Sequence, residues 1–230
     1  MTGHALIEGR NNLDLFRRVA EFNLYLVRYI HSSWLVSNTF APLFNKLHEG
    51  GDADYHLSRY LLQEFRLEDC YDYDFQPLVK RIVLADEKAL TRLSLYLGII
   101  VHEESIRNVI MRKERRALEE CLGEEAYRFA VKKAQFIGRV ADRQGPSLLI
   151  DWGHLDRFKA FLEMSGQQII QMAFAEMSEA FRKRMELKLP AEWQESRDQQ
   201  EPLSLSSEQC AALVLKAHKE VNREWRHLLS

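Results

Sequence analysis

The chain has 230 residues and a nearly balanced charge, with 32 lysines and arginines against 34 aspartates and glutamates. This balance argues against a dedicated nucleic-acid binder, which would carry a basic excess. The 46% hydrophobic content indicates a globular chain. Three distant cysteines without a CxxC pair favour neither a disulfide framework nor a zinc ribbon.

The N-terminal residues lack the apolar core of a secretory signal. No apolar run approaches the roughly 20 residues that a membrane-spanning helix needs. We therefore expect a cytoplasmic protein that does not insert into a membrane.

Apolar residues recur at helical spacing, whereas the alternation typical of strands is nearly absent, so the sequence predicts an all-α fold. The first helix is expected over about Leu13 to Phe22, capped by Asn11 or Asn12. Segment 71–75, YDYDF, should form an acidic-aromatic loop or a short helical turn.

A long helix should begin at Asp86 and continue to about Ile110, and its apolar middle indicates a position inside a bundle. Another helix should follow Gly123. Two more are expected over 151–165 and 167–187.

The predicted fold is a single irregular multi-helix bundle with a C-terminal amphipathic helix after a polar linker. Residues 1–190 should form the helical core and 191–205 the linker. The last helix, 206–230, should pack on the same domain or on a partner. Ser206 and Gln209 have the spacing of a capping box at its start.

No motif for enzymatic chemistry is present: the sequence lacks a P-loop, a GxGxxG and a GxSxG. His102-Glu103 fails the HExxH pattern because Ile106 occupies the position of the second histidine. Glu224 and His227 give a single clear Glu-x-x-His where a di-iron bundle uses two. We therefore expect that the chain is not an enzyme and that it has neither a cofactor nor a metal site.

Candidate protein-binding residues lie in three places. A basic run could bind phosphate or an acidic partner, although a solvated helix end is the simpler interpretation. Trp193 in the polar linker and Trp225 in the last helix are aromatic candidates for an interface, whereas Trp34 and Trp152 are expected in the core. The basic run contains Arg112, Lys113, Arg115 and Arg116.

Four short patterns follow one another between residues 22 and 190. They are Tyr29-Ile30-His31, Leu61-Leu62-Gln63-Glu64-Phe65-Arg66-Leu67, Leu97-Gly98-Ile99-Ile100-Val101-His102-Glu103-Glu104-Ser105-Ile106-Arg107, and Lys183-Arg184-Met185-Glu186-Leu187-Lys188-Leu189-Pro190. Together they resemble the SctK family, also called YscK or PscK, of the type III secretion sorting platform. One departure is that the proline often found just before Tyr-apolar-His is absent. The matching residues are Tyr29, His31, Glu64, Phe65, Gly98, His102, Glu104, Arg107 and Pro190.

The resemblance implies a cytoplasmic helical subunit, peripheral to the inner-membrane apparatus and without enzymatic activity. It would link an SctD-type ring protein to an SctQ-type pod protein, and indirectly to an SctL-type ATPase stator. The matching residues read as structural. We hypothesise that His102 and Glu104 orient the central helix through buried polar contacts.

Three alternatives stay open. A helical chaperone or regulator of secreted effectors would bind effectors but not the pod protein. A helical metal-dependent enzyme would contain metal when purified. A nucleic-acid binder would show salt-dependent association through the basic run.

Overall fold

The computed structural model describes residues 3–35, 46–47, 51–138, 149–195 and 204–229, and these contain helices and no strand. This confirms the predicted all-α class. The chain divides into two compact units. Unit 1 comprises Met1–Glu87, Met177–Glu195 and Glu224–Ser230, and unit 2 comprises Lys88–Glu176 and Ser196–Arg223.

The α-helices follow one another closely along the chain, with short 3₁₀ helices between several of them. In chain order the α-helices are α1 (Gly3–Leu24), α2 (Asp54–Glu64), α3 (Leu78–Arg81), α4 (Glu87–Val101), α5 (Glu103–Arg107), α6 (Arg112–Leu122), α7 (Glu124–Lys132), α8 (Ala134–Ile137), α9 (Leu155–Ala173), α10 (Glu179–Leu187), α11 (Glu192–Glu195) and α12 (Ser207–Val221). The 3₁₀ helices are Leu26–Arg28, Ser32–Trp34, Ile82–Leu84 and Arg223–Leu229.

The core of unit 1 combines leucines with an aromatic cluster. Leu57, Leu61 and Leu62 of α2 pack on the Leu26–Arg28 turn, because residues four apart share one helix face. Elsewhere in the unit, the Phe22 ring contacts Phe75 and Phe181, with centroids 5.8 and 5.4 Å away. These contacts hold irregular segments against the helices.

The core of unit 2 is built from long helices. Helix α4 is buried over most of its circumference, as its apolar composition predicts. Helices α9 and α12 pack along one another. The buried side chains of α9 and α12 include Phe158, Leu162, Ile169, Ile170, Cys210, Leu213, Val214 and Ala217.

Several predicted helix limits were wrong. Asn11 and Asn12 lie inside α1 and therefore do not cap it. Helix α4 ends at Val101 instead of continuing to Ile110, because His102 leaves helical geometry at φ −104° and ψ 20°. The boundary expected near residue 166 also fails, since α9 runs unbroken through it to Ala173.

Two local predictions were right. Segment 71–75 is an irregular loop. The Ser206 hydroxyl accepts a hydrogen bond from the Gln209 N–H, and the Gln209 side chain accepts one from the Ser206 N–H, completing the capping box of α12. The domain limits at 190 and 205 stay a prediction, because residues 196–203 of the expected linker lie outside the described part. Within the described ranges, every helix is too short or too polar to cross a bilayer.

Candidate functional surfaces

The first and last family-like patterns meet in unit 1. The backbone N–H of His31 donates to the Leu187 carbonyl at 2.8 Å, and the Trp34 indole donates to the Leu189 carbonyl at 2.8 Å. The Ala191 N–H donates to the Ser33 hydroxyl at 2.9 Å. These three hydrogen bonds hold residues 187–191 against residues 31–34, which include the Ser32–Trp34 3₁₀ helix.

Tyr29 and His31 have structural roles in this contact. The Tyr29 hydroxyl donates to the Phe22 carbonyl at 2.6 Å, and burial raises the pKa of the phenol. The His31 side chain caps the Ser32–Trp34 turn by accepting from the Ser33 N–H. Both residues shape the chain locally.

Of the two matching residues in the second pattern, Glu64 and Phe65, one is packed and one is exposed. Phe65 meets Trp34 edge to face, with centroids 6.4 Å apart, whereas Glu64 is exposed. Pro190 is half-buried in the segment after α10. Phe65 and Pro190 therefore belong to the packing of unit 1, and Glu64 lies on its surface.

The last pattern also buries two cations that sequence reasoning missed. Arg184 is 1% exposed and donates to the carbonyls of Cys70 and Leu67 at 2.7 and 3.2 Å. Lys188 is 6% exposed and donates to the Val83 carbonyl at 2.7 Å. Burial lowers the pKa of Lys188 from 10.5 to about 7, because the charged amine loses its hydration.

Gly98, in the third pattern, lies against the backbone of another helix of unit 2. A Cβ at Gly98 would stand 1.8 Å from the Leu162 carbonyl oxygen, and a Cβ at Gly166 would stand 1.7 Å from the Ser94 carbonyl oxygen. Helices α4 and α9 therefore approach to backbone contact at two points. Only a residue without a side chain fits either point.

The hypothesis that His102 and Glu104 orient the central helix through buried polar contacts is wrong for Glu104 and stays a prediction for His102. The His102 Nε2 lies 3.2 Å from the Ser165 hydroxyl, and burial lowers the pKa of the imidazole. Glu104, however, is exposed, and it is Glu103 that is fully buried, 3.6 Å from the exposed Arg107. Both carboxylates lie in the first turn of α5, directly after the helix break at His102.

The basic run forms an exposed surface at the start of α6. All four of its cations are exposed, and the two preceding side chains, Ile110 and Met111, are 83% and 63% exposed. Cations near a helix N-terminus are unfavourable because of the helix dipole. We call residues 110–113 with Arg115 and Arg116 the basic-apolar surface.

Trp34 packs against the core of unit 1 as expected, whereas the other three tryptophans differ from the prediction. Trp193 and Trp225 are 9% and 8% exposed, so neither presents its ring on the surface of this conformation. Trp193 belongs to α11 and Trp225 lies under the Arg18 guanidinium, 4.4 Å from its ring centre. Trp34 is half-buried, and Trp152, expected in the core, is 40% exposed.

A second exposed surface surrounds the loop between α2 and α3. The Asn23 side chain donates to the Asp72 carbonyl at 2.7 Å and accepts from the Asp72 N–H at 2.8 Å. The carboxylates of Asp72 and Asp74 accept from backbone N–H groups two residues later. The Asp-x-Asp spacing is the sequence signal that could have predicted these turns.

Among the described residues, no group of three or more histidine, cysteine, aspartate or glutamate side chains could hold a metal ion.

The chain belongs to the YscK family, whose description is "YOP proteins translocation protein K (YscK)" and whose model matches residues 19–230. It is therefore a protein of type III secretion, and its family is a component of the secretion apparatus. Comparison with curated proteins and with solved structures gives no significant match.

Proposed function

We propose that this chain is a cytoplasmic, non-enzymatic adaptor of the type III secretion sorting platform. It would link the cytoplasmic domain of an SctD-type inner-membrane ring protein to an SctQ-type pod protein, and through the pod to an SctL-type ATPase stator. The observation that carries the proposal is the family match over residues 19–230.

Two features of the surface support an adaptor. The basic-apolar surface belongs to unit 2, and the loop rich in tyrosine and aspartate belongs to unit 1. The basic-apolar surface is positive and the loop is negative. The first therefore suits an acidic partner and the second a basic partner. An adaptor needs two such different faces, each on its own packed core.

The proposal is tested by size exclusion with light scattering on the purified chain and the SctQ-type pod protein of the same bacterium. A stable complex would support the adaptor. The double variant Arg112→Glu/Arg116→Glu then tests the basic-apolar surface, with Lys132→Glu/Lys216→Glu as the control on exposed lysines of unit 2.

The same experiment with the cytoplasmic ring domain tests the second link. Binding to neither protein, with all three folded, would contradict the proposal. Binding to secreted effectors in their place would favour the chaperone or regulator alternative.

A further inference from the structure

The segment from Glu68 to Gln76, which we call the acidic-aromatic segment, combines exposed rings with negative charge. It contains four carboxylates and neither lysine nor arginine. Tyr71 and Tyr73 are 42% and 59% exposed, and their ring centroids lie 6.1 Å apart. Exposed tyrosines are frequent anchors of protein interfaces because they contribute a large contact area with few rotatable bonds.

The backbone of this segment is held by hydrogen bonds to four of its carbonyl groups. Arg184 donates to the Cys70 carbonyl, Asn23 to that of Asp72, and the Lys80 amine to that of Asp74 at 2.9 Å. The Arg81 guanidinium donates to the Phe75 carbonyl at 2.8 Å.

The segment is also anchored by its side chains. The Phe75 ring is buried against Phe22 and Phe181. A segment that is already ordered loses little conformational entropy when a partner binds. The exposed tyrosines therefore belong to a backbone segment that needs no rearrangement before a partner binds.

The charge determines which partner fits. The Lys80 amine neutralises the Asp72 carboxylate at 2.8 Å, and Glu68, Asp69 and Asp74 remain exposed. Carboxylates bind guanidinium groups through paired hydrogen bonds, and tyrosine faces attract the same cations. Nucleic acids and anionic lipid surfaces would be repelled.

We propose that the acidic-aromatic segment is a docking surface for a basic, arginine-bearing segment of a partner protein. This deepens the adaptor role by naming the chemistry of one partner. The test uses neither secretion protein, so it can fail while the adaptor role holds, and the reverse is also true.

The probe is a fluorescein-labelled peptide of five Arg-Ser repeats, titrated with the full chain at physiological salt and followed by fluorescence anisotropy. The main variant is Glu68→Gln/Asp69→Asn/Asp74→Asn, which removes charge and keeps shape. Asparagine tolerates the positive φ of 58° at Asp69 and can accept the Gln76 N–H at position 74. We expect binding about tenfold weaker, equivalent to about 1.4 kcal/mol.

Tyr73→Ala should weaken binding a few-fold through loss of the ring. Its matched control is Tyr60→Ala, because Tyr60 is 40% exposed on α2 of the same unit and should not change the affinity. Circular dichroism of each variant establishes that the fold is retained.

Three results would overturn the proposal. The native chain could fail to bind the arginine peptide, the neutralised variant could bind it as tightly as the native chain, or a matching Glu-Ser peptide could bind equally well. Weakening confined to the neutralised variant and Tyr73→Ala would support it.

Discussion

The two units hold neighbouring segments together by different means. In unit 1, the Arg184 and Lys188 side chains reach from one segment to the backbone carbonyls of another. In unit 2, helices α4 and α9 lie so close that Gly98 and Gly166 meet backbone atoms directly. In unit 1, long side chains thus hold irregular segments together. In unit 2, glycines allow two regular helices to pack backbone against backbone.

This difference determines which substitutions each unit tolerates. A buried cation can be replaced by a neutral side chain that keeps the packing, and the cost is then that of its carbonyl partners left without a donor, about 1–3 kcal/mol each. A backbone contact cannot be adjusted in this way, because the atoms that would have to move belong to the helices. Unit 2 should therefore react more strongly to a single added methyl group than unit 1 reacts to a lost charge.

The largest effect is expected from Gly98→Ala in unit 2. The added Cβ would lie 1.8 Å from the Leu162 carbonyl oxygen, so α4 and α9 must separate. We expect the free energy of unfolding to fall by more than about 3 kcal/mol, measured by urea denaturation. Gly153→Ala is the control, since its Cβ would meet only the Asp151 side chain at 3.3 Å.

Gly166→Ala should behave in the same way as Gly98→Ala. The double variant should cost less than the sum of the two, because helices that have separated for one methyl group already admit the other. Strict additivity would show that the two glycine contacts are independent.

The second largest effect on stability is expected from Arg184→Met in unit 1. The variant leaves the Leu67 and Cys70 carbonyls without their guanidinium donor. We expect a loss of about 2–4 kcal/mol in the free energy of unfolding, together with faster proteolysis near residue 70. Lys183→Met, a half-buried neighbour on the same helix, should cost much less, and equal costs would contradict the role of the buried guanidinium.

Lys188 should make the stability of the protein depend on pH. The amine has a pKa of about 7 in the folded chain against 10.5 as its ordinary value, so between these pH values the unfolded chain binds more protons. Stability must then rise with pH through this window, by at most about 1.4 kcal/mol per pH unit. Below pH 7 both states are protonated and the contribution is constant.

The comparison with Lys188→Met isolates this contribution, because the other titrating groups are common to both proteins. The native chain should gain stability relative to the variant as pH rises from about 7 towards 10. Two parallel stability profiles would show that the buried amine does not titrate in this range.

The smallest effect is expected at the start of α12. Ser206→Ala removes the hydroxyl that accepts from the Gln209 N–H and should cost about 1 kcal/mol. Ser207→Ala, one residue into the helix, is the control. A loss at Ser207 equal to that at Ser206 would argue against the capping role.

The features predicted correctly from the sequence depend on near neighbours in the chain. The apolar circumference of α4 and the Ser206–Gln209 box are examples, because periodicity and caps act within a few residues. The features that were missed depend on distant partners. The local sequence predicts a helix boundary at Gly166, whereas the structure shows that this glycine allows close contact with Ser94. The local sequence also predicts a surface cation at Arg184, whereas its guanidinium is buried against the Cys70 carbonyl.

The candidate surfaces show the same division. The exposure of Arg112 and Arg116 follows from the local density of charge. The burial of Trp193 could not be predicted, because its chain neighbours are mostly polar and show no apolar period. The sequence predicts a loop or a short helical turn over residues 71–75 of the acidic-aromatic segment, but the hydrogen bonds that fix this segment come from Asn23 and Arg184, which are distant in the chain.

The paired glycines of unit 2 also determine how its two central helices can move. Ser94 faces Gly166 and Gly98 faces Leu162, four residues apart on each helix and in antiparallel order. Sliding α4 along α9 by one residue would bring a side chain into one of the two backbone contacts. Helices α4 and α9 therefore have a single permitted register. Under an applied force we expect them to move together as one rigid unit and not to slide past one another.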